Sequence, residues 1–101
     1  MITKSTILNY LKKKKKELHI KYGITSLGLY GSYARNEETP SSDIDIFYER
    51  DNNFDLESGF DFMKINEQLA NELNVKKVDF VSLSFMNPII KHYAEKDFIY
   101  V

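Results

Sequence analysis

The sequence predicts an α/β fold of the α+β kind, a small mixed sheet of three or four strands packed with helices. Three observations carry this expectation. Apolar residues recur at helical spacing in the first 22 residues, short segments with alternating side chains follow, and the segments run in the order α-β-turn-β-α-β-α.

The first helix is expected from Ser5 to Tyr22, with Ile7, Leu8, Leu11, Leu18 and Tyr22 on its apolar face. Thr3 or Ser5 is available as its cap, and Gly23 is placed to stop it. Ser26 to Tyr30 reads as a strand that delivers the chain into a tight turn at Gly31-Ser32. From Tyr33 to Ser42 small and polar residues around Pro40 suggest a helical turn near Ala34-Arg35 and then a loop. Asp43 to Tyr48 alternates cleanly, Ile44, Ile46 and Tyr48 on one face and Asp43, Asp45 and Phe47 on the other. A longer helix is expected from Leu56 to Leu73, its broad stripe holding Leu56, Phe60, Phe62, Met63, Ile65, Leu69, Ala70 and Leu73. Val75 to Leu83 is rich in β-formers and reads as a third strand that carries Asp79. Asn87-Pro88 opens a short last helix with Ile89, Ile90 and Tyr93, and Phe98 to Val101 is suited to an edge strand.

At 101 residues the chain is expected to form one domain, residues 1–101, without internal repeat or linker. A hydrophobic fraction of 43% is enough for a packed interior and argues against disorder. Cysteine is absent, so disulfide scaffolds, thiolate-bound zinc and thiol catalysis are excluded, and a metal has to sit on carboxylates. The net charge of -1 gives no general attraction to nucleic acid or anionic membrane. The N-terminus lacks the apolar core of a signal peptide, and no run of about 18 apolar residues occurs. A cytoplasmic protein with neither membrane nor nucleic acid as partner is therefore expected. Lys12 to Lys16 read as a solvated helix face or as a partner-docking surface, and His19 and His92 as ordinary helix residues.

The chemistry gathers at three acids and one turn. Asp43 and Asp45, two apart on a strand, project from the same face about 6–7 Å apart and repel each other unless a cation neutralises them. Asp79 lies mid-strand between Val78 and Phe80, where an unpaired charge is costly to bury, and is the natural third ligand. Carboxylate oxygens suit Mg²⁺, which takes its remaining ligands from water and substrate phosphates. Two such ions can bind both the attacking and leaving oxygens of an in-line displacement. Gly31 allows close backbone approach to an anion, Ser32 adds a hydroxyl donor, and Arg35 is placed to reach phosphate oxygens. Ser32 is read as a ligand; no histidine is positioned in the sequence to activate it as a nucleophile.

Gly31-Ser32, ten residues, then Asp43-Ile44-Asp45 resembles the G-S-x10-D-x-D signature of the nucleotidyltransferase fold. The string GSYARNEETPSSDIDIFYE is similar to minimal nucleotidyltransferase (MNT) domains, and Lys77-Val78-Asp79-Phe80-Val81 resembles their third-acid strand. Asn36 and Tyr33 depart from the glycine and arginine common in that family's loop. The resemblance implies that Asp43, Asp45 and Asp79 bind Mg²⁺ and that Gly31 and Ser32 hold the triphosphate of ATP. It further implies an antitoxin paired with a HEPN-type ribonuclease toxin, some such proteins transferring AMP onto a toxin tyrosine. Two alternatives stand beside it: an antitoxin that neutralises by complex formation without catalysis, and a transferase acting on another acceptor.

Overall fold

A computed structural model of the chain describes residues 2–56 and 59–101. Helix α1 spans Lys4–Tyr22 and begins where the Thr3 hydroxyl accepts the Thr6 N–H at 3.2 Å. It ends at Gly23, whose φ of +70° is left-handed and whose N–H donates to the His19 carbonyl at 2.9 Å. Both ends follow the expected capping residues. Ile7, Leu11, Leu18 and Tyr22 are buried along one face of α1, while Leu8 is only partly buried.

The sheet has four strands in the order β3-β2-β1-β4: β1 Ile24–Tyr30, β2 Ile44–Arg50, β3 Val78–Ser82 and β4 Ile99–Tyr100. β1 runs antiparallel to both β2 and β4, and β2 runs parallel to β3, so the sheet is mixed as expected. The parallel pair needs a crossover, which the helical segment between β2 and β3 supplies. β1 begins two residues earlier than the alternation suggests, and β3 is shorter at both ends.

Side-chain alternation divides the sheet into two apolar faces. Leu27 and Leu29 of β1, Ile44, Ile46 and Tyr48 of β2 and Val78 of β3 pack with Leu11, Leu18, Ile65 and Leu69 of the helices. On the opposite face Phe47 is fully buried with Leu83 and Met86, and its ring stacks on Phe98 at 4.3 Å. β2 is therefore buried from both sides at its centre, and the polar residues it carries are confined to its ends.

The expected single helix from Leu56 to Leu73 is corrected to two: α2, Gly59–Met63, and α3, Ile65–Leu73. Part of the expected first turn lies outside the described residues. The Lys64 N–H bonds to the Asp61 carbonyl at 3.1 Å, a tight turn that resets the helix axis before α3. Phe60 and Met63 consequently leave the stripe and are 66% and 79% exposed. Phe62 keeps its place, its ring 5.5 Å from that of Tyr22 and 5.9 Å from that of Tyr48. Lys14 also departs from the solvated face expected for the lysine run. It pairs with Glu17 at 2.6 Å and with Glu72 of α3 at 3.1 Å, and Glu72 also accepts the Tyr10 hydroxyl at 2.6 Å.

The last helix, α4, spans Pro88–Ala94 and is capped by Asn87, whose side chain accepts from Ile89 at 2.9 Å. A single 3-10 turn, Glu95–Asp97, leads into β4. Ile89, Ile90 and Tyr93 are all more than half exposed. Two substitutions separate the core from the abandoned stripe. Leu11→Ala is expected to cost about 2–5 kcal/mol in urea unfolding because it empties a fully buried site. Met63→Ala is expected to change stability by less than about 0.5 kcal/mol; equal losses at both positions would restore the single continuous helix.

Candidate active site

The geometry of the site follows from strand pairing. Asp45 in β2 and Asp79 in β3 are direct register partners across the parallel pair, and Tyr30 at the end of β1 is the partner of Asp45 on its other side. All three belong to the face opposite the main helical core. Asp43 lies just before β2, two residues from Asp45 and on the same face.

Backbone hydrogen bonding thus sets two carboxylates side by side with a third close by. Burial pushes the Asp45 carboxyl up to about 6, and the charges of Asp79 and then Asp43 add to the effect, with Arg35 opposing it. Tyr30 is pushed up to about 12 by burial and then by the same two charges, Asp45 and Asp79, so its hydroxyl stays protonated. Lys77, which the sequence reading did not single out, places its ammonium 3.6 Å from an oxygen of Asp43 and 3.6 Å from one of Asp79. Its position just before β3, two residues ahead of Asp79 and inside the segment expected from the sequence to be a strand, is the signal that was available, since residues i and i+2 of an extended chain share a face.

Among the described residues no three acids or histidines converge into a ready cation cage. The structure pairs Asp45 with Asp79 and joins Asp43 to Asp79 through Lys77. The donor set nevertheless fits a hard divalent ion: it is all carboxylate oxygen, the charges of Asp79 and Asp43 add to the raised proton affinity of Asp45, and a lysine ammonium stands where positive charge is wanted.

The turn after β1 is built around Gly31. Its φ of +78° is left-handed, and a Cβ there would overlap the Asp45 carboxylate. Strain and crowding both demand glycine, and both bring the backbone of the Gly31-Ser32 turn against the acid. The Gly31 carbonyl accepts the Arg35 N–H at 3.1 Å and the Ser32 carbonyl accepts the Glu37 N–H at 2.9 Å, which closes one helical turn. Asn36, at φ +60°, ends it, so the expected helical turn exists but goes no further. Ser32 stands at its start, partly exposed. The leading N–H groups of such a turn have no partner within it.

Arg35 is placed beside the carboxylates, but its guanidinium is engaged elsewhere. It donates to Asp97 at 2.9 Å and to Glu37 at 3.1 Å. Asp97 is a second residue that no sequence pattern singles out, since it lies in the 3-10 turn 62 positions away. Two clefts flank the acids. One, of about 620 Å³, is lined by Tyr33, Pro40, Ser41, Ser42, Asp43 and Lys77 among others. The other, of about 340 Å³, runs between Tyr30, Gly31 and Arg35 and the exposed residues Ile89, Ile90 and Tyr93 of α4.

A mixed sheet that brings strand-borne carboxylates against a glycine-serine turn defines a phosphate-handling transferase. The chain belongs to the nucleotidyltransferase family, whose domain description matches residues 7–101, and the protein is a nucleotidyltransferase. It is 42% identical over 101 residues, the full length of both chains, to a Methanocaldococcus jannaschii protein provisionally named a protein adenylyltransferase. It is 31% identical over 101 residues, 100% of this chain and 98% of the other, to the protein adenylyltransferase MntA of Thermococcus cleftensis. Among solved structures, one described provisionally as a minimal nucleotidyltransferase matches with a TM-score of 0.72 and 22% identity, covering 97% of this chain and 95% of that one. A toxin-antitoxin structure solved with AMP-PNP matches with a TM-score of 0.60 and 25% identity, covering 78% of this chain and 61% of that one. The family and fold implied by the sequence signature are borne out.

The site sets a pH dependence that one substitution isolates. Because the folded Asp45 carboxyl titrates near 6 instead of 3.8, it binds its proton more tightly folded than unfolded. Its contribution favours folding below about pH 4 and is lost as the pH rises towards 6. In metal-free buffer Asp45→Asn should therefore be more stable than wild type at pH 7 by about 1–2 kcal/mol, a figure reduced for partial solvent screening. The difference should vanish near pH 4. Denaturant melts at both pH values check it, and a variant less stable at pH 7 would mean that Asp45 is not the strained member of the group.

Proposed function

We propose that this chain transfers AMP from ATP to a hydroxyl, a tyrosine, of a partner HEPN-type toxin and thereby acts as its antitoxin. The observation that carries the reading is the pairing of Asp45 with Asp79 directly against the Gly31 turn. Acids and phosphate turn then serve one substrate from the same end of the sheet. Full-length similarity to a protein adenylyltransferase, MntA, and a partial match to a chain of a toxin-antitoxin structure solved with AMP-PNP support the nucleotide, the kind of acceptor and the partner. The tyrosine acceptor and the HEPN class rest on the family resemblance of the sequence.

In this reading Asp43, Asp45 and Asp79 would hold Mg²⁺. When bound, the metal supplies charge neutralisation for the phosphates and lowers the pKa of an attacking hydroxyl. The Gly31-Ser32 turn would orient the triphosphate through backbone N–H groups and the Ser32 hydroxyl. Arg35 would balance phosphate charge from the flank, close enough to the acids to be felt by Asp45. The acceptor oxygen bonds to the α-phosphorus as the α–β anhydride breaks, pyrophosphate leaves with the bonding electrons, and the hydroxyl proton passes to solvent. Positioning and electrostatics carry the rate, because the chain needs no nucleophile of its own.

Co-expression with a HEPN-type toxin followed by intact mass spectrometry tests the proposal. The toxin should gain one or more AMP-sized increments with the wild-type chain and none with Asp43→Asn, while the variant remains folded. A toxin silenced without any gain in mass, equally well by Asp43→Asn, would leave only the binding antitoxin. Independently, Mg-ATP should raise the melting temperature of the wild type, since a ligand that binds only the folded state stabilises it, and should do so far less for Asp43→Asn.

A further inference from the structure

We propose that Lys77 is a positioning residue of the acid group: its ammonium is the resting counter-ion of Asp43 and Asp79, and an entering divalent cation displaces it. This rests on the reading of those acids as a metal site and adds a group that competes for it. The ammonium lies 3.6 Å from one oxygen of each acid, beyond ordinary hydrogen-bond length, so it is shared between the two carboxylates and locked to neither.

Three features suit Lys77 to that task. Its side chain is 62% exposed, so it can move without disturbing the core. Lysine is a compact point charge on a flexible stem, unlike the planar guanidinium of Arg35, which is already committed to Asp97 and Glu37. Lys77 also lines the cleft that Tyr33, Ser42 and Asp43 line, so a displaced ammonium has open space beside the acids and need not be buried. Among the described residues Asp45, by contrast, forms no ion pair with the lysine, so the ammonium serves the outer two acids.

Replacing the ammonium by a neutral group of similar length removes the competitor and leaves the acids more negative. Lys77→Met should bind Mn²⁺ alone about three- to tenfold more tightly than wild type at low ionic strength, and the advantage should shrink in about 0.5 M salt. Lys77→Arg, which keeps the charge, should stay close to wild type. The affinities are read by calorimetry or from the free Mn²⁺ signal in electron paramagnetic resonance, without nucleotide. Unchanged or weaker binding by Lys77→Met, with wild type binding normally and still transferring AMP, overturns the role of Lys77 and leaves the enzyme reading intact. Wild type that takes up no Mn²⁺ at millimolar concentration overturns both.

Discussion

Backbone hydrogen bonds hold Asp45 and Asp79 side by side whatever their charges prefer. The parallel register that pairs Ile44 with Val78 and Ile46 with Phe80 is fixed by apolar side chains on the helical face, and a slip by one residue would turn those side chains to the wrong side. The acids have therefore no freedom to separate. Their repulsion is held in place by the hydrophobic burial of their neighbours, and after the burial of Asp45 itself it is what raises that residue's proton affinity. A site under this constraint favours cations before any ligand arrives.

The same logic reaches the C-terminus. Phe47 follows Asp45 on its face, and the stacking of Phe98 on Phe47 fixes where the chain passes after α4. Asp97, the residue before Phe98, is thereby set against Arg35 at 2.9 Å. The exposed ion pair contributes little to stability by itself. Its effect is positional: the turn after β1 is tied to the closing segment, although the two are far apart in sequence. Aromatic packing on one side of β2 and aliphatic packing on the other thus serve one end, keeping the acid end of the strand in place.

What could be read beforehand was whatever a local rule fixes. Gly23 and Gly31 could be placed because a left-handed φ excludes most other residues. Asp43, Asp45 and Asp79 stood out because charge at inward strand positions is costly. The break at Lys64 could not be seen, because Phe62, Ile65, Leu69 and Leu73 keep helical spacing straight through it. Periodicity records which side chains face the core, and a tight turn that preserves the face is invisible to it. Lys14 looked like its neighbours until Glu72 of another helix was brought beside it. Arg35 and Asp97 meet only through tertiary structure, and so does the bridging role of Lys77 between two strands.

Clefts on both sides of the acids bear on how such a site favours transfer over hydrolysis. Each is open to solvent, and the Asp43 and Asp79 side chains are 44% and 38% exposed. Water at 55 M competes with any hydroxyl acceptor unless the acceptor is held in place, and intramolecular positioning is worth roughly 10⁵–10⁸ M in effective concentration. A small-molecule acceptor drifting into an open cleft has no such advantage. A protein acceptor gains it by docking, because the surface that binds also excludes water and fixes the hydroxyl. An open site accords with the protein acceptor proposed above, for which discrimination between substrates would lie in the fit of two proteins.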